Sequence, residues 1–411
     1  MNIFEISSIL VSISAFLMYV NFKFLKFPMT IGLMLLSLAL SLFIFLTSSL
    51  IPNIQSLALS MLASIDFNAT LMGGMLSFLL FAGALHVDLN DLLDQKLIIS
   101  ILATLGVIFS TFLVGTITYY LLGLFSIQID YIYCLLFGSL ISPTDPIAVL
   151  GILKETNAPK SLETTIAGES LFNDGVGVVV FAVILSLATG VAEISFSKIS
   201  FLFFEEAVGG IVFGLFFGYL FFKLLKSVDN YPLEIMLTLA LVMGGYSLAS
   251  YLHLSGPLAM VVAGLFIGNH GKMLAMSETT HKQLFSFWEL IDEFLNALLF
   301  VLIGFEVLII YFNFNYLITG ALLIPLILLV RFIGISIPLK MLGSKSNLSK
   351  GSGAVMTWCG LRGGISIALA LSLPDSPERS LIIAITYIVV AFSILVQGLT
   401  SKKVVDSIVD A

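Results

Sequence analysis

Apolar runs of about 20 residues recur along the whole chain, separated by short breaks marked by glycine, proline or charge. An α-helix of that length reaches across the hydrocarbon core of a bilayer. The runs lack the period-two alternation of a barrel strand in an outer membrane. Only 10% of the 411 residues are charged and 59% are hydrophobic, against roughly 25% charged in soluble domains. A large soluble core does not account for this, because its surface still needs polar cover. The sequence therefore predicts an all-α polytopic membrane protein with little mass outside the bilayer.

A formal net charge of −7 speaks against nucleic acid as a partner. Cys134 and Cys359 both lie in apolar runs and read as small buried hydrophobes. His86, His253, His270 and His281 are scattered, without the spacing of a zinc site. Glu5 stands where a signal peptide would be basic, so the first apolar run is expected to be a retained span.

Breaks in the pattern divide the chain into thirteen spans, near 4–22, 28–50, 69–87, 97–123, 130–153, 162–190, 201–226, 231–252, 254–270, 284–312, 315–342, 350–373 and 379–401. The segment 51–68, with Pro52 and a mixed pattern, reads as a surface loop or interfacial helix. With the N-terminus placed outside a cell membrane, 14 of the 18 basic residues fall on the cytoplasmic side. Lys198 and Arg379 fall outside, and Arg331 and Arg362 lie within spans. This satisfies the positive-inside rule and leaves a short cytoplasmic tail at 402–411.

The expected architecture is one membrane domain over 1–401, made of inverted repeats at about 1–190 and 231–401 with a connector helix at 201–226. The fifth span is broken by Pro143 and Pro146, and the twelfth is loosened at Gly360-Leu361-Arg362-Gly363-Gly364. Paired interruptions at matching places of two halves point to a transporter site near the midplane.

The chemistry concentrates in the fifth and sixth spans. Pro146 has no N–H for the carbonyl of Ser142, and each proline disfavours helix in the residue before it. Non-helical backbone at this depth is tolerated only against protein or water, and its carbonyls, such as that of Thr144, become available to a cation. Asp145 lies at the helix end created by the break, where the dipole favours negative charge. In the sixth span Glu169 and Asn173 are four residues apart, as are Ser170 and Asp174, so both pairs share one helix face. The bland alternatives are a capped kink and a polar helix contact. Intramembrane carboxylates are by default functional. Hydroxyl, carboxylate and carbonyl oxygens suit a hard cation, and burial disfavours the charged form of an acid. One buried aspartate can then hold either a proton or a cation, and competition between them gives obligatory exchange. Arg362 cannot lose its proton and needs a partner in the membrane. Glu169 is the candidate, in a structural ion pair.

The runs Ser142-Pro143-Thr144-Asp145-Pro146, Gly168-Glu169-Ser170-Leu171-Phe172-Asn173-Asp174-Gly175 and Gly360-Leu361-Arg362-Gly363 resemble the signature motifs of the type 1 monovalent cation:proton antiporters, the sodium/proton exchangers. Ser255-Gly256-Pro257-Leu258-Ala259 and Phe287-Trp288-Glu289 are similar to further motifs of that family. The resemblance implies thirteen spans, a homodimer, and a moving six-helix core with unwound, crossing fifth and twelfth helices. It implies electroneutral exchange of one sodium (or lithium or potassium) for one proton, with no cofactor beyond the transported ions. Carried over by position, Asp174, Ser170 and Thr144 bind the metal cation, Asp145 and Asn173 support the site, and Glu169 and Arg362 form the ion pair. Asn173 beside Asp174 matches the electroneutral members. The chain departs from the family at Ala82, where many prokaryotic members carry an acid, and Asp88 and Asp91 lie too far along to replace it.

Lesser signals have ordinary readings. Arg331 snorkels or pairs with an acid. Glu289, Asp292 and Glu293 read as a solvated helix start or an attractor of cations. Gly210, Gly214 and Gly218 form a small-residue stripe for close helix packing or a dimer contact. Two other function classes fit the sequence less well. An intramembrane aspartyl protease would use Asp145 and Asp174 but lacks its Gly-X-Gly-Asp context, and a cation channel lacks a repeated carbonyl filter.

Overall fold

In the computed structural model the described residues are 2–409 except 48–55, 57, 58, 63, 146, 154, 155, 157, 191–194, 272, 273, 311, 312 and 350. Their regular structure is helical, with one isolated antiparallel bridge between Asp145 and Leu361. The principal helices are α1 (Ile3–Val20), α2 (Met29–Thr47), α3 (Leu76–Leu85), α4 (Val107–Leu124), α5a (Tyr131–Ile141) and α5b (Ile147–Leu153). They continue with α6 (Lys160–Ala188), α7 (Phe196–Lys226), α8 (Tyr231–Tyr251), α9 (Gly256–Phe266), α10 (Glu278–Glu306) and α11 (Phe314–Leu342). The last are α12a (Ser352–Trp358), α12b (Gly364–Leu371) and α13 (Pro377–Phe392). Each expected span falls on one of these, and the fifth and twelfth are each split in two. Eight helices among the described residues are long and apolar enough to cross a membrane. Of the expected surface loop or interfacial helix at 51–68, residues 51–55, 57, 58 and 63 lie outside the described residues, and 59–62 are helical.

Local chemistry sets the helix starts. Asn230, Ser255, Ser277, Asn313 and Ser376 each accept a backbone N–H two or three residues into α8, α9, α10, α11 and α13, satisfying donors that a helix start leaves open. Proline follows the cap in α8, α9 and α13, where its missing N–H costs nothing.

Of the expected tail at 402–411, the residues up to Val409 belong to a helix Leu399–Val409 that continues the last span. Val405 and Ser401 are fully buried, so one face of this extension packs rather than trailing into water. The glycine stripe of α7 is also settled. Gly210 lies against Ser255, Gly214 against Ala259 and Gly218 against Ala263, so the stripe seats α9 within the same chain. The opposite face of α7, with Phe201, Phe204, Val212 and Phe216, is exposed and apolar, as a lipid-facing helix requires.

Candidate cation and proton site

The broken fifth and twelfth helices meet, and each repairs the backbone of the other. The N–H of Asp145 donates to the carbonyl of Leu361 at 2.8 Å. The Arg362 guanidinium donates to the carbonyl of Pro143 at 2.8 Å and also to that of Ser142. Ser142 is the carbonyl expected to lose its partner at the proline break. The N–H of Thr144 donates to Asn173 Oδ1 at 3.2 Å. In the twelfth helix, Gln397 Nε2 caps the Trp358 carbonyl at 2.8 Å, and the N–H of Arg362 donates to Ser393 Oγ at 2.9 Å. Several of the backbone groups freed by the two breaks thus have partners, as burial demands. One guanidinium nitrogen, Nη1, donates to both adjacent carbonyls.

Arg362 is therefore committed to backbone, and the expected Glu169–Arg362 pair is corrected. Glu169 pairs with Arg331 of α11, Nη1 to Oε1 at 2.9 Å and Nη2 to Oε2 at 3.2 Å. Both side chains are buried, and Arg331 Nε reaches the Met356 carbonyl at 3.3 Å. The bidentate geometry fits two planar ions. Arg362 and Glu169 line one small void, but the direct partner of Glu169 is Arg331. Gly360 makes the room: a Cβ there would overlap the Arg331 guanidinium.

Asn173 and Ser170 organise Thr144. Asn173 Nδ2 donates to Thr144 Oγ1 at 2.9 Å, and Thr144 Oγ1 lies 3.0 Å from Ser170 Oγ. All three residues are buried. This network brings the polar face of α6 onto the break in the fifth helix. Asp174, 7% exposed, and Asp145 line one cavity of about 760 Å³. The carboxylate of Asp145 rests against Gly363, where an added Cβ would collide with it. Exposed Lys26, Glu289 and Glu293 mark the outer part of the cavity, and Asp174 lies in its buried part. A second void of about 20 Å³ touches Ser142, Glu169, Asn173, Arg331 and Arg362, room for about one water molecule.

Ala82, fully buried on α3, also lines the large cavity, so this position faces the site without supplying an oxygen. Asp88 and Asp91 are occupied elsewhere. Asp88 caps the short helix Leu89–Asp94, and Asp91 pairs with Lys160 at 2.5 Å. Two contributors escaped the sequence reading. Arg331 was legible as an intramembrane charge, but not as the partner of Glu169. Asn296 of α10 lines the cavity and carried no motif; its signal is its spacing of seven from Glu289, two helical turns along one face.

Comparison with known proteins agrees with this geometry. Residues 11–406 match the family described as sodium/hydrogen exchanger, transmembrane. The chain belongs to the sodium/hydrogen exchanger family. Its members are transporters rather than enzymes. The Na+/H+ antiporter NhaP of Pseudomonas aeruginosa is 50% identical over 395 residues, covering 95% of this chain and 93% of that one. The Na+/H+ antiporter NhaH of Halobacillus aidingensis is 36% identical over 392 residues, covering 93% and 92%. Among solved structures, the sodium proton antiporter MjNhaP1 of Methanocaldococcus jannaschii at pH 8 superposes with a TM-score of 0.77 at 22% identity, covering 98% of both chains. This exchanger thus shares its fold with that antiporter.

Proposed function

We propose that the protein exchanges sodium for protons across a cell membrane by alternating access, with cation and proton competing for Asp174. The observation that carries this reading is a buried carboxylate lining a large cavity, beside two broken helices that cross. Ser170 Oγ and the Thr144 backbone oxygen supply further ligands, with Asp145 and Asn173 supporting them. Glu169 with Arg331, and Arg362 on the Ser142 and Pro143 carbonyls, hold the crossing in place. The names of the sodium/proton antiporters to which the chain is similar support the same exchange. The cavity mouth carries Lys26, one of the residues that the positive-inside rule puts in the cytoplasm, so the conformation seen here opens inward. In this reading the N-terminus is outside and the C-terminus cytoplasmic, as the distribution of basic residues favours, and the assembly is a homodimer, as the family resemblance implies. Sodium and protons are the transported species, and lithium and potassium are the cations to compare with sodium.

The test is purified protein in liposomes with an imposed pH gradient, read by a trapped pH dye as sodium, lithium or potassium is added. Sodium should collapse the gradient, and Asp174→Ala should abolish the response. A gradient that no cation collapses, or an Asp174→Ala variant as active as the parent, rules the reading out.

A further inference from the structure

The large cavity ends where α10 meets α12b. Leu299 of α10 and Gly364 of α12b both line it, and a Cβ added to Gly364 would run into the Leu299 side chain. On α10 the lining stops at Leu299, and on α12b at Ser366. Both helices run on from there towards the outer face. Glu306 lies two turns beyond Leu299 on the same face of α10, about 10 Å further out. Leu371 lies at a matching distance beyond Gly364 on α12b. The Leu371 carbonyl accepts Arg379 Nη2 at 3.1 Å. Arg379 Nη1 meets Asp375 at 3.0 Å, and the Asp375 side chain is 98% exposed. Tyr387 Oη of α13 donates to the Ile303 carbonyl at 3.0 Å, one turn deeper on α10. Glu306 thus lies beneath the outer surface, in the seam between α10, α12b and α13, with the Leu299–Gly364 contact between it and the cavity.

Glu306 is 6% exposed. Among the described residues its carboxylate accepts no hydrogen bond and joins no ion pair. Arg379 does not supply one: its Nη atoms go to Asp375 and the Leu371 carbonyl, and its Nε meets no acceptor. Glu306 is also the last residue of α10, whose final turn carries no basic side chain. The C-terminal end of a helix attracts cations and disfavours a carboxylate. A buried carboxylate in that position is too costly to stay bare, so it holds a proton or a metal cation. Its two oxygens are hard donors, which suit an alkali ion.

We infer that Glu306 is an outer subsite for a monovalent cation, occupied on the external leg of the path when α12b parts from α10. This rests on the exchange reading above and adds a stop on the side of the Leu299–Gly364 contact opposite to Asp174. Asp375 and the Leu371 carbonyl serve the subsite indirectly, by holding the Arg379 guanidinium off the carboxylate.

Two measurements on the full chain test it. Sodium is titrated onto right-side-out membrane vesicles, which present the outer face, and onto everted vesicles, which present the inner one. Glu306→Gln should raise the apparent KM for sodium about tenfold at the outer face, through loss of a charged ligand, and leave it close to the parent value at the inner face. An unchanged outer KM, or an equal rise at both faces, overturns the subsite. The second measurement needs no transport. Asp174→Ala protein in detergent is treated with dicyclohexylcarbodiimide, which attacks protonated carboxyls in apolar surroundings, and the Glu306 peptide is followed by mass spectrometry. Glu306 should be labelled, and sodium should protect it where choline does not. Labelling that is absent, or that sodium does not change, overturns the subsite. Labelling that appears only when Arg379→Gln is added assigns Glu306 to an ion pair with Arg379 and overturns it too. Each of these failures leaves exchange intact in a parent that transports sodium, whereas a parent that exchanges no cation overturns both readings.

Discussion

Two arginines sit in the membrane interior, and they neutralise different things. Arg331 meets a carboxylate with both arms of its fork, whereas Arg362 meets backbone carbonyls. Removing one partner of a buried ion pair leaves an uncompensated charge and costs about 3–5 kcal/mol. Glu169→Gln and Arg331→Gln should each lower stability by that order, and the double variant by less than their sum. The coupling should be about 1–3 kcal/mol, measured from thermal unfolding in detergent. Glu169→Gln with Arg362→Gln should be closer to additive, and a larger coupling there would restore the pairing expected from sequence. That expectation failed for a physical reason. Sequence shows that a buried guanidinium must be paired, but it does not show that broken backbone is an equally good partner. The depth of Arg331 was readable. It lies 11 residues from the C-terminal end of α11, roughly 16 Å along the axis, too far for its side chain to reach the interface by snorkelling. Asn173, Ser170 and Thr144, by contrast, meet as their spacing on α6 and beside the break predicts.

At the level of elements, the breaks were legible and their repair was not. Pro143 announces lost helix, and Gly360 to Gly364 announce loose helix. That Asp145 would bridge to Leu361 depends on how the two halves cross, which no local pattern encodes. Gly363 tests the crossing. It has the backbone of an ordinary extended residue, φ −122° and ψ −157°, so alanine brings no torsional strain. The objection is spatial, since the added methyl group runs into the Asp145 carboxylate. Gly363→Ala should therefore cut exchange at least tenfold in protein that still purifies as a folded species, because an ångström of displacement at a reacting or binding group costs one to two orders of magnitude. Gly123→Ala, on α4 with nothing within 4 Å of the new methyl, should exchange like the parent and be stabilised by up to about 1 kcal/mol. Equal activity of the two variants would mean that the close contact between the crossing helices is not needed for the cycle.

For the whole molecule, the question is how much charge crosses the membrane in a turnover. Among the polar groups of the site, Glu169 is neutralised by Arg331, and Asn173 is an amide occupied by Thr144. In the proposed exchange Asp174 is the carboxylate whose occupant alternates, with Asp145 keeping its protonation state. With a proton or with sodium on Asp174, the moving core carries the same charge, so the outward and inward half-cycles cancel. The expected net movement is then one sodium against one proton, on which the membrane potential does no work. At equilibrium the sodium ratio across a liposome should equal the proton ratio whatever potential is imposed with a potassium ionophore. A cycle that carried one extra charge would feel about 2.3 kcal/mol per 100 mV, roughly a fiftyfold displacement of that balance. A potential-dependent sodium ratio would therefore mean that a second carboxylate, with Asp145 and Asp292 the ones nearest the path, also exchanges its proton during the cycle.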